Sequence, residues 1–202
     1  MDYNQLNQER RSINFFDTNA TITAGDIRAI YDEAALAPTS FNMQPYKVVA
    51  AISADAKSKL LPAAFNQPKI TEASAVLAFF GDRNAFKNWD DVSRDMLEKG
   101  YLTPDKVEMY KGMAQNLYSG KEDAFVSRNT GLFAMNFMLA AKNRGWDTHP
   151  MDGMDGEAVR KLFGLGEEYL AVMLVAIGKL KPGTNLLPRG MRRSFDQVFQ
   201  VA

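Results

Sequence analysis

The sequence predicts an α+β fold in a single domain spanning residues 1–202. Three observations point there. The chain has 202 residues, 46% of them hydrophobic and 24% charged, the size and composition of one globular unit with an ordinary core. Short apolar runs of strand length are mixed with longer stretches of helical periodicity. These do not alternate strictly as strand, helix, strand, which favours α+β over a doubly wound parallel sheet.

From the N-terminus, Asp2 to Arg10 reads as a short helix. Thr23-Ala24-Gly25-Asp26 has the form of a capping box with Asp in place of Glu. The helix it opens places Ile27, Ile30, Tyr31 and Ala34 on one face, and Pro38 ends it. Residues 38–46 are polar and bounded by prolines, hence a loop. Lys47–Ile52 is a buried strand. Ser53 then caps a helix running to about Phe65, and Val76–Phe80 is a second strand stopped by Gly81-Asp82. The stretch 83–120 is rich in Asp, Lys, Met and Tyr, with breaks at Gly100 and Thr103-Pro104. It reads as one or two surface helices leaving the core. Glu122 to Arg144 is a long helix ended by Gly145. Its middle, GLFAMNFMLAA, is apolar on most sides, so it belongs at the centre of the fold or in a subunit interface. Asp147–Pro150 is a short strand, Asp155 opens a helix over 156–163, and Leu170–Ile177 is a central strand. Pro182, Gly183, Pro188 and Gly190 make residues 179–202 an extended arm.

Several classes of chemistry are excluded. There is no Cys, so disulfides, thiolate nucleophiles and Cys-ligated metals are absent. His149 is the one histidine; a multi-His metal site is impossible and a Ser-His-Asp triad would have to use it. Lys plus Arg number 24, as do Asp plus Glu. A neutral chain lacks the basic excess of a nucleic-acid-binding surface and is drawn little to anionic membranes. The first residues show no apolar run preceded by positive charge, and the longest apolar run, Leu170–Ile177, is far short of the ~20 residues of a membrane span. The expected location is the cytoplasm. Gly164-Leu165-Gly166 lacks the third glycine and the strand–turn–helix context of a dinucleotide fingerprint, and Gly178-Lys179-Leu180 is no phosphate loop. His149, beside Pro150 at a strand end, reads as a packing or surface residue before a catalytic one.

Three sets of residues remain: Arg10-Arg11-Ser12, the loop Pro38-Thr39-Ser40-Phe41-Asn42-Met43-Gln44-Pro45, and the basic arm Arg189-Gly190-Met191-Arg192-Arg193. Each alone reads as surface charge or an ordinary loop. In this order they resemble the nitroreductase family of flavin enzymes. Two further segments extend the resemblance over nearly the whole chain. Asn66-Gln67-Pro68-Lys69 lies just before the second strand, and Gly145 to Asp155 resembles the family's G-x-x-x-x-P-x-E/D-G-F/M. The match is nearest to the small bacterial NAD(P)H-dependent quinone and nitro reductases.

The resemblance implies a central, mostly antiparallel sheet flanked by helices in an intertwined homodimer, with FMN bound at the subunit interface. The flavin phosphate needs fixed cations and hydroxyls, and the planar fork of Arg suits it. Arg10, Arg11 and Ser12 match the family's phosphate grip, with Arg192 or Arg193 completing it from the arm. Asn14 stands where some members carry a cation. Asn66 and Lys69 match the residues facing the pyrimidine edge of the ring, and a cation there stabilises the charge that reduction places on it. Pro150, Met151, Asp152 and Gly153 match the segment along the ring, with a backbone N–H from Asp152 or Gly153 aimed at N5; glycine permits that approach. Pro38, Thr39, Ser40 and Asn42 match a loop reaching the flavin of the other subunit. Asn129 falls where some members place a Gln near that flavin.

The implied activity is hydride transfer from NADH or NADPH through the flavin to small aromatic acceptors, quinones or nitroaromatics, by a ping-pong mechanism. No side chain is then needed as nucleophile or general base, which fits a sequence poor in such groups. Phe86, Trp89, Tyr101, Tyr110 and Tyr118 of the 83–120 excursion are candidates both for gating the acceptor and for packing. Two other readings stay open. One is a flavin-binding protein without turnover, serving storage or redox sensing. The other is a cofactor-free interaction module built on the long helix.

Overall fold

A computed structural model describes all residues, 1–202. Its centre is a four-stranded antiparallel sheet of order β1-β2-β4-β3. The strands are β1 (Tyr46–Ala51), β2 (Ala75–Asp82), β3 (Asp147–Met151) and β4 (Tyr169–Gly178). Every residue of β2 is buried, and the two-residue period of a strand explains how. Ala75, Leu77 and Phe79 point into one apolar cluster, with Ile30, Phe133, Phe137 and Ile177. Val76, Ala78 and Phe80 point into a second, with Leu60, Ile70, Val159 and Ala176. Covered on both faces, β2 has no polar alternation to show, which is why it reads as an unbroken apolar run.

The first face carries α2 (Ala24–Ala34) and α7 (Glu122–Asn143); the second carries α3 (Ala54–Leu60), α4 (Lys69–Glu72) and α8 (Gly156–Leu162). Helix α1 (Tyr3–Glu9) starts at an Asp2 cap. The Thr23/Asp26 capping box forms as the sequence predicts, with Thr23 N donating to Asp26 Oδ2 at 2.8 Å and Asp26 N to Thr23 Oγ1 at 3.1 Å. Ser53 and Asp155 cap α3 and α8. Gly145, at φ 77°, closes α7. No helix is long and apolar enough to cross a membrane.

Five expectations need correction. Gly81 and Asp82 do not stop β2; they continue it. A Cβ on Gly81 would lie 2.4 Å from Val126 Cγ2, so glycine here lets α7 close onto the strand. Helix α3 ends at Leu60, and Pro62–Ala64 form a separate 3-10 turn before left-handed Phe65. Helix α2 ends at Ala34, ahead of Pro38, and on its apolar face Ile30 and Ala34 are buried while Tyr31 is exposed. The strand expected to be buried over 47–52 is the edge strand β1, in which only Ala51 is fully buried. The arm is not wholly extended: a Ser194/Gln197 capping box opens α9 (Phe195–Val198).

The excursion holds α5 (Trp89–Glu98) and α6 (Val107–Tyr118), with single 3-10 turns at Ala85–Asn88 and Pro104–Lys106. Its helices are not merely superficial. Trp89, Leu102 and Ala114 form a third cluster with Met43, Phe125 and Val126. Phe86 stacks on Phe125, and Tyr118 packs on the same ring. Of the five aromatic candidates, Tyr101 stands exposed.

Candidate functional site: an arginine cradle and a lysine–histidine corner

Three segments converge where β2 begins. Ser12 forms an isolated parallel bridge with Thr148, and Ile13 N donates to Thr148 O at 3.2 Å. This fastens the N-terminal segment to the outer edge of β3. The loop 61–69 approaches β3 from the other side. Gln67 Nε2 donates to Gly153 O at 2.8 Å, and Asp155 N donates to Ala63 O at 2.7 Å. Lys69 Nζ lies 3.3 Å from His149 Nε2. Ser12, Lys69 and the 150–153 segment thus lie around one corner of β3. Asp152 and Gly153 are exposed, so their backbone is open to a ligand. Met151 is buried in the second cluster, and its side chain packs rather than lining a site.

The C-terminal arm adds charge. Arg189 Nη2 donates to the carbonyls of Asn7, Gln8 and Arg10, at 3.2 Å for Asn7 and Arg10. It thereby satisfies the orphaned carbonyls at the end of α1. Arg11 Nη2 donates to Leu187 O at 2.7 Å. Arg10 sits among these groups. Its pKa is pushed below the usual guanidinium value, first by burial and then by the charges of Arg189, Arg192 and Arg11. Its buried Nε has no hydrogen-bond partner. A half-buried cation with an unpaired donor and three cationic neighbours lacks only an anion. Both candidates in the arm bond within the tail, Arg192 to Gly190 O and Met191 O and Arg193 to Gln197 O, and of the two it is Arg192 whose charge acts on Arg10.

The loop before β1 lies elsewhere. It leads into Tyr46, which pairs with Gly81, while Thr148 pairs with Ile177 and Ile177 with Ala75. Six residue steps along β2 separate the two levels, about 20 Å at the rise of a strand. Thr39 Oγ1 accepts from Gln44 N, and Asn42 O accepts from Gln44 Nε2. Asn129 holds this loop: Ser40 N donates to its Oδ1 at 2.8 Å, and its Nδ2 donates to Phe125 O at 2.7 Å. At 1% exposure, it is a support for the loop, not a free amide facing a ligand. The expectation for Asn129 is corrected accordingly.

Backbone strain marks the same segments. The non-glycine residues with positive φ are Phe41, Asn42, Gln44, Phe65 and Asn66. All lie in the two loops that the motifs single out. Left-handed backbone costs a side-chain-bearing residue about 1–2 kcal/mol and collects where function imposes it. Composition could not show this, because only Asn is enriched in that conformation. Sequence reasoning also assigned no site role to Gln67, Arg189 or His149. Gln67 and Arg189 lie inside the motifs quoted, and that position is the signal that could have found them.

An antiparallel α+β core with a cationic cradle against its edge and two strained loops defines a ligand-binding member of a known architecture. The nitroreductase family model matches residues 8–179. The chain belongs to the nitroreductase family. It is similar to Bacillus subtilis MhqN, provisionally named an NAD(P)H nitroreductase, at 34% identity over 98% of each chain. It is 29% identical to a conjugated linoleic acid (CLA) biosynthesis enone reductase of Lactiplantibacillus plantarum, over 84% of this chain and 82% of that one. Among solved structures, a provisionally named nitroreductase of Exiguobacterium sibiricum in complex with FMN superposes with a TM-score of 0.89 at 32% identity. It covers 100% of this chain and 98% of its own.

Proposed function

We propose that the protein is an FMN-dependent oxidoreductase that draws reducing equivalents from NADH or NADPH. The observation that carries the reading is the arginine cradle: the unpaired Nε of Arg10 and the crowded cations around it fit a phosphate dianion. Arg10, Arg11, Ser12 and Arg192 would hold that phosphate, and Asn66, Lys69 and the 150–153 backbone would hold the ring. When bound, the flavin would supply the redox chemistry, two-electron exchange between a nicotinamide donor and a quinone or nitroaromatic acceptor.

The chain's own residues set the conditions for that chemistry. Lys69 presents positive charge to the ring edge that gains negative charge. Gln67, by its bond to Gly153 O, anchors the chain directly after the N–H that would face N5. Gly153 leaves room for the Gln67 amide, since a Cβ there would lie 3.2 Å from Gln67 Nε2. No general acid or base is required. The excursion 83–120 packs on the 38–44 loop through Met43 and through Asn88 Nδ2, which donates to Met43 O at 3.0 Å. It would form the wall of the acceptor slot, with Tyr101 its exposed aromatic.

The placement of the loop supports a homodimer. The loop carrying Thr39, Ser40 and Asn42 leads into β1 at Tyr46, about 20 Å along the sheet from the level of Thr148, which favours its reaching the site of a second copy. Leu132 and Met135 on α7 and Phe195, Val198 and Phe199 on the arm are exposed apolar side chains that an intertwined dimer would bury. An apolar groove of about 540 Å³ between Tyr31, Tyr46, Val48 and Phe133 opens beside the edge strand β1 and is a further surface of this kind.

The test is spectroscopic. Purified protein should be yellow, and anaerobic NADH or NADPH should bleach it within seconds. A colourless protein that takes up no FMN would remove the proposal. A yellow protein that neither donor bleaches would leave the storage reading. Ping-pong kinetics are expected with quinone acceptors; a required ternary complex would contradict a shared slot.

A further inference from the structure

His149 stands where the parts of the site meet. It lies on β3, one residue before the Pro150–Gly153 segment. Its Nδ1 is 2.7 Å from the carbonyl oxygen of Ile13, the neighbour of Ser12. A carbonyl only accepts, so Nδ1 carries the proton. Nε2 is then a lone pair, 3.3 Å from Lys69 Nζ, and an ammonium only donates. One tautomer of the neutral ring satisfies both contacts. The imidazolium, with donors at both nitrogens, would turn an N–H toward a cation.

We infer that His149 is a positioning residue: held as the neutral Nδ1–H tautomer by Ile13, it fixes the Lys69 ammonium within the site. Lys69 is the charged side chain facing the imidazole, Ile13 presents a neutral carbonyl from the N-terminal segment, and Glu72 acts on Lys69 from within α4. Burial and then the Lys69 charge hold the imidazole pKa below its ordinary value, against the opposing pull of the Ile13 carbonyl. The neutral form is therefore the resident one at pH 7. A lysine stem is long and flexible, and its ammonium is a mobile point charge unless something fixes it. The imidazole ties that charge to the strand leading into the 150–153 backbone and to the segment carrying Ser12. The geometric part stands on its own; its consequence for flavin rests on the function proposed above.

The chain has one histidine, so a histidine-selective 15N spectrum reports this ring alone. At pH 7 it should show a protonated Nδ1 and an unprotonated Nε2, with and without FMN. Lys69→Met should move the titration midpoint of the ring upward, because a neighbouring cation is gone. His149→Phe, which keeps a flat ring without an acceptor, should weaken FMN binding by about tenfold and shift the flavin midpoint potential to a more negative value. His149→Gln offers an oxygen acceptor to Lys69 and should restore the potential and bring the affinity to within about twofold of the parent. A packing role alone would lower thermal stability without moving the potential or being rescued by Gln. A protonated Nε2, a midpoint unmoved by Lys69→Met, or a parental potential in His149→Phe would each overturn the inference. Failure of the parent to bind FMN would instead overturn the flavin reading, and the tautomer and midpoint would still decide the role of His149.

Discussion

The two ends of the site are built differently. The ring end rests on regular structure: Lys69 opens α4, His149 sits in β3, and Gln67 locks Gly153 across a well-packed corner. The phosphate end is assembled from chain termini. Arg10 lies just past α1, and two of its three cationic neighbours, Arg189 and Arg192, come from an arm whose residues from 185 onward are all exposed. At the ring end Gln67, Lys69 and His149 have partners within the chain, whereas the phosphate end leaves Arg10 Nε unpaired among like charges. One end is therefore organised before any ligand arrives. The other is electrostatically frustrated until an anion relieves it, and it should supply most of the binding free energy.

That contrast can be broken most forcefully at Arg10. Arg10→Ala should raise the FMN Kd roughly thirtyfold to a hundredfold, the loss of about 2–3 kcal/mol expected for charge-assisted phosphate contacts. Thermal melting of the ligand-free variant should match or exceed that of the parent, because a buried like charge has been removed. A large drop in melting temperature would show Arg10 to be a folding element instead.

Gln67→Ala probes the ring end with a smaller expected effect. Losing its bonds to Gly153 O and Ala64 O should cost about 1 kcal/mol of ring positioning, read as a roughly fivefold weaker FMN Kd. Riboflavin, which has no phosphate, should lose affinity by the same factor. An effect on FMN alone would place Gln67 at the wrong end.

The smallest effect is a pH slope. The folded-state pKa of His149 is depressed, by burial and then by Lys69. Its stabilising contribution is therefore complete above the ordinary value of 6.5 and is lost as pH falls through the lower folded value. Melting curves of the ligand-free protein below pH 6.5 should decline less steeply in Lys69→Met than in the parent. Equal slopes would deny the coupling.

How much of this was legible in the sequence depended on the kind of signal. Caps at Thr23, Ser53 and Asp155 are local, so they could be read from neighbours in the chain. The end of β2 could not be, because Gly81 and Asp82 look like a turn. Only the approach of Val126, forty-five residues away, explains why a strand needs glycine there. The phosphate segments carried recognisable motifs, and the structure puts Ser12 at the edge of β3 with Arg10 two residues before it. Asn129 was misread because its polar groups answer to Ser40 and Phe125, partners that no spacing reveals. His149 was weighed as a packing residue, since its significance comes from Lys69, eighty positions earlier. Left-handed Phe41 and Phe65 were invisible for a different reason: phenylalanine gives no hint of that backbone.

The comparison of FMN with riboflavin tests the central claim most directly, because the two ligands differ only in what the arginines are proposed to hold. Titrating the ligand-free parent with each should give FMN a Kd lower by about a hundredfold or more, with the difference shrinking as salt is raised. Equal affinities for the two, or no saturable uptake of FMN, would contradict the account.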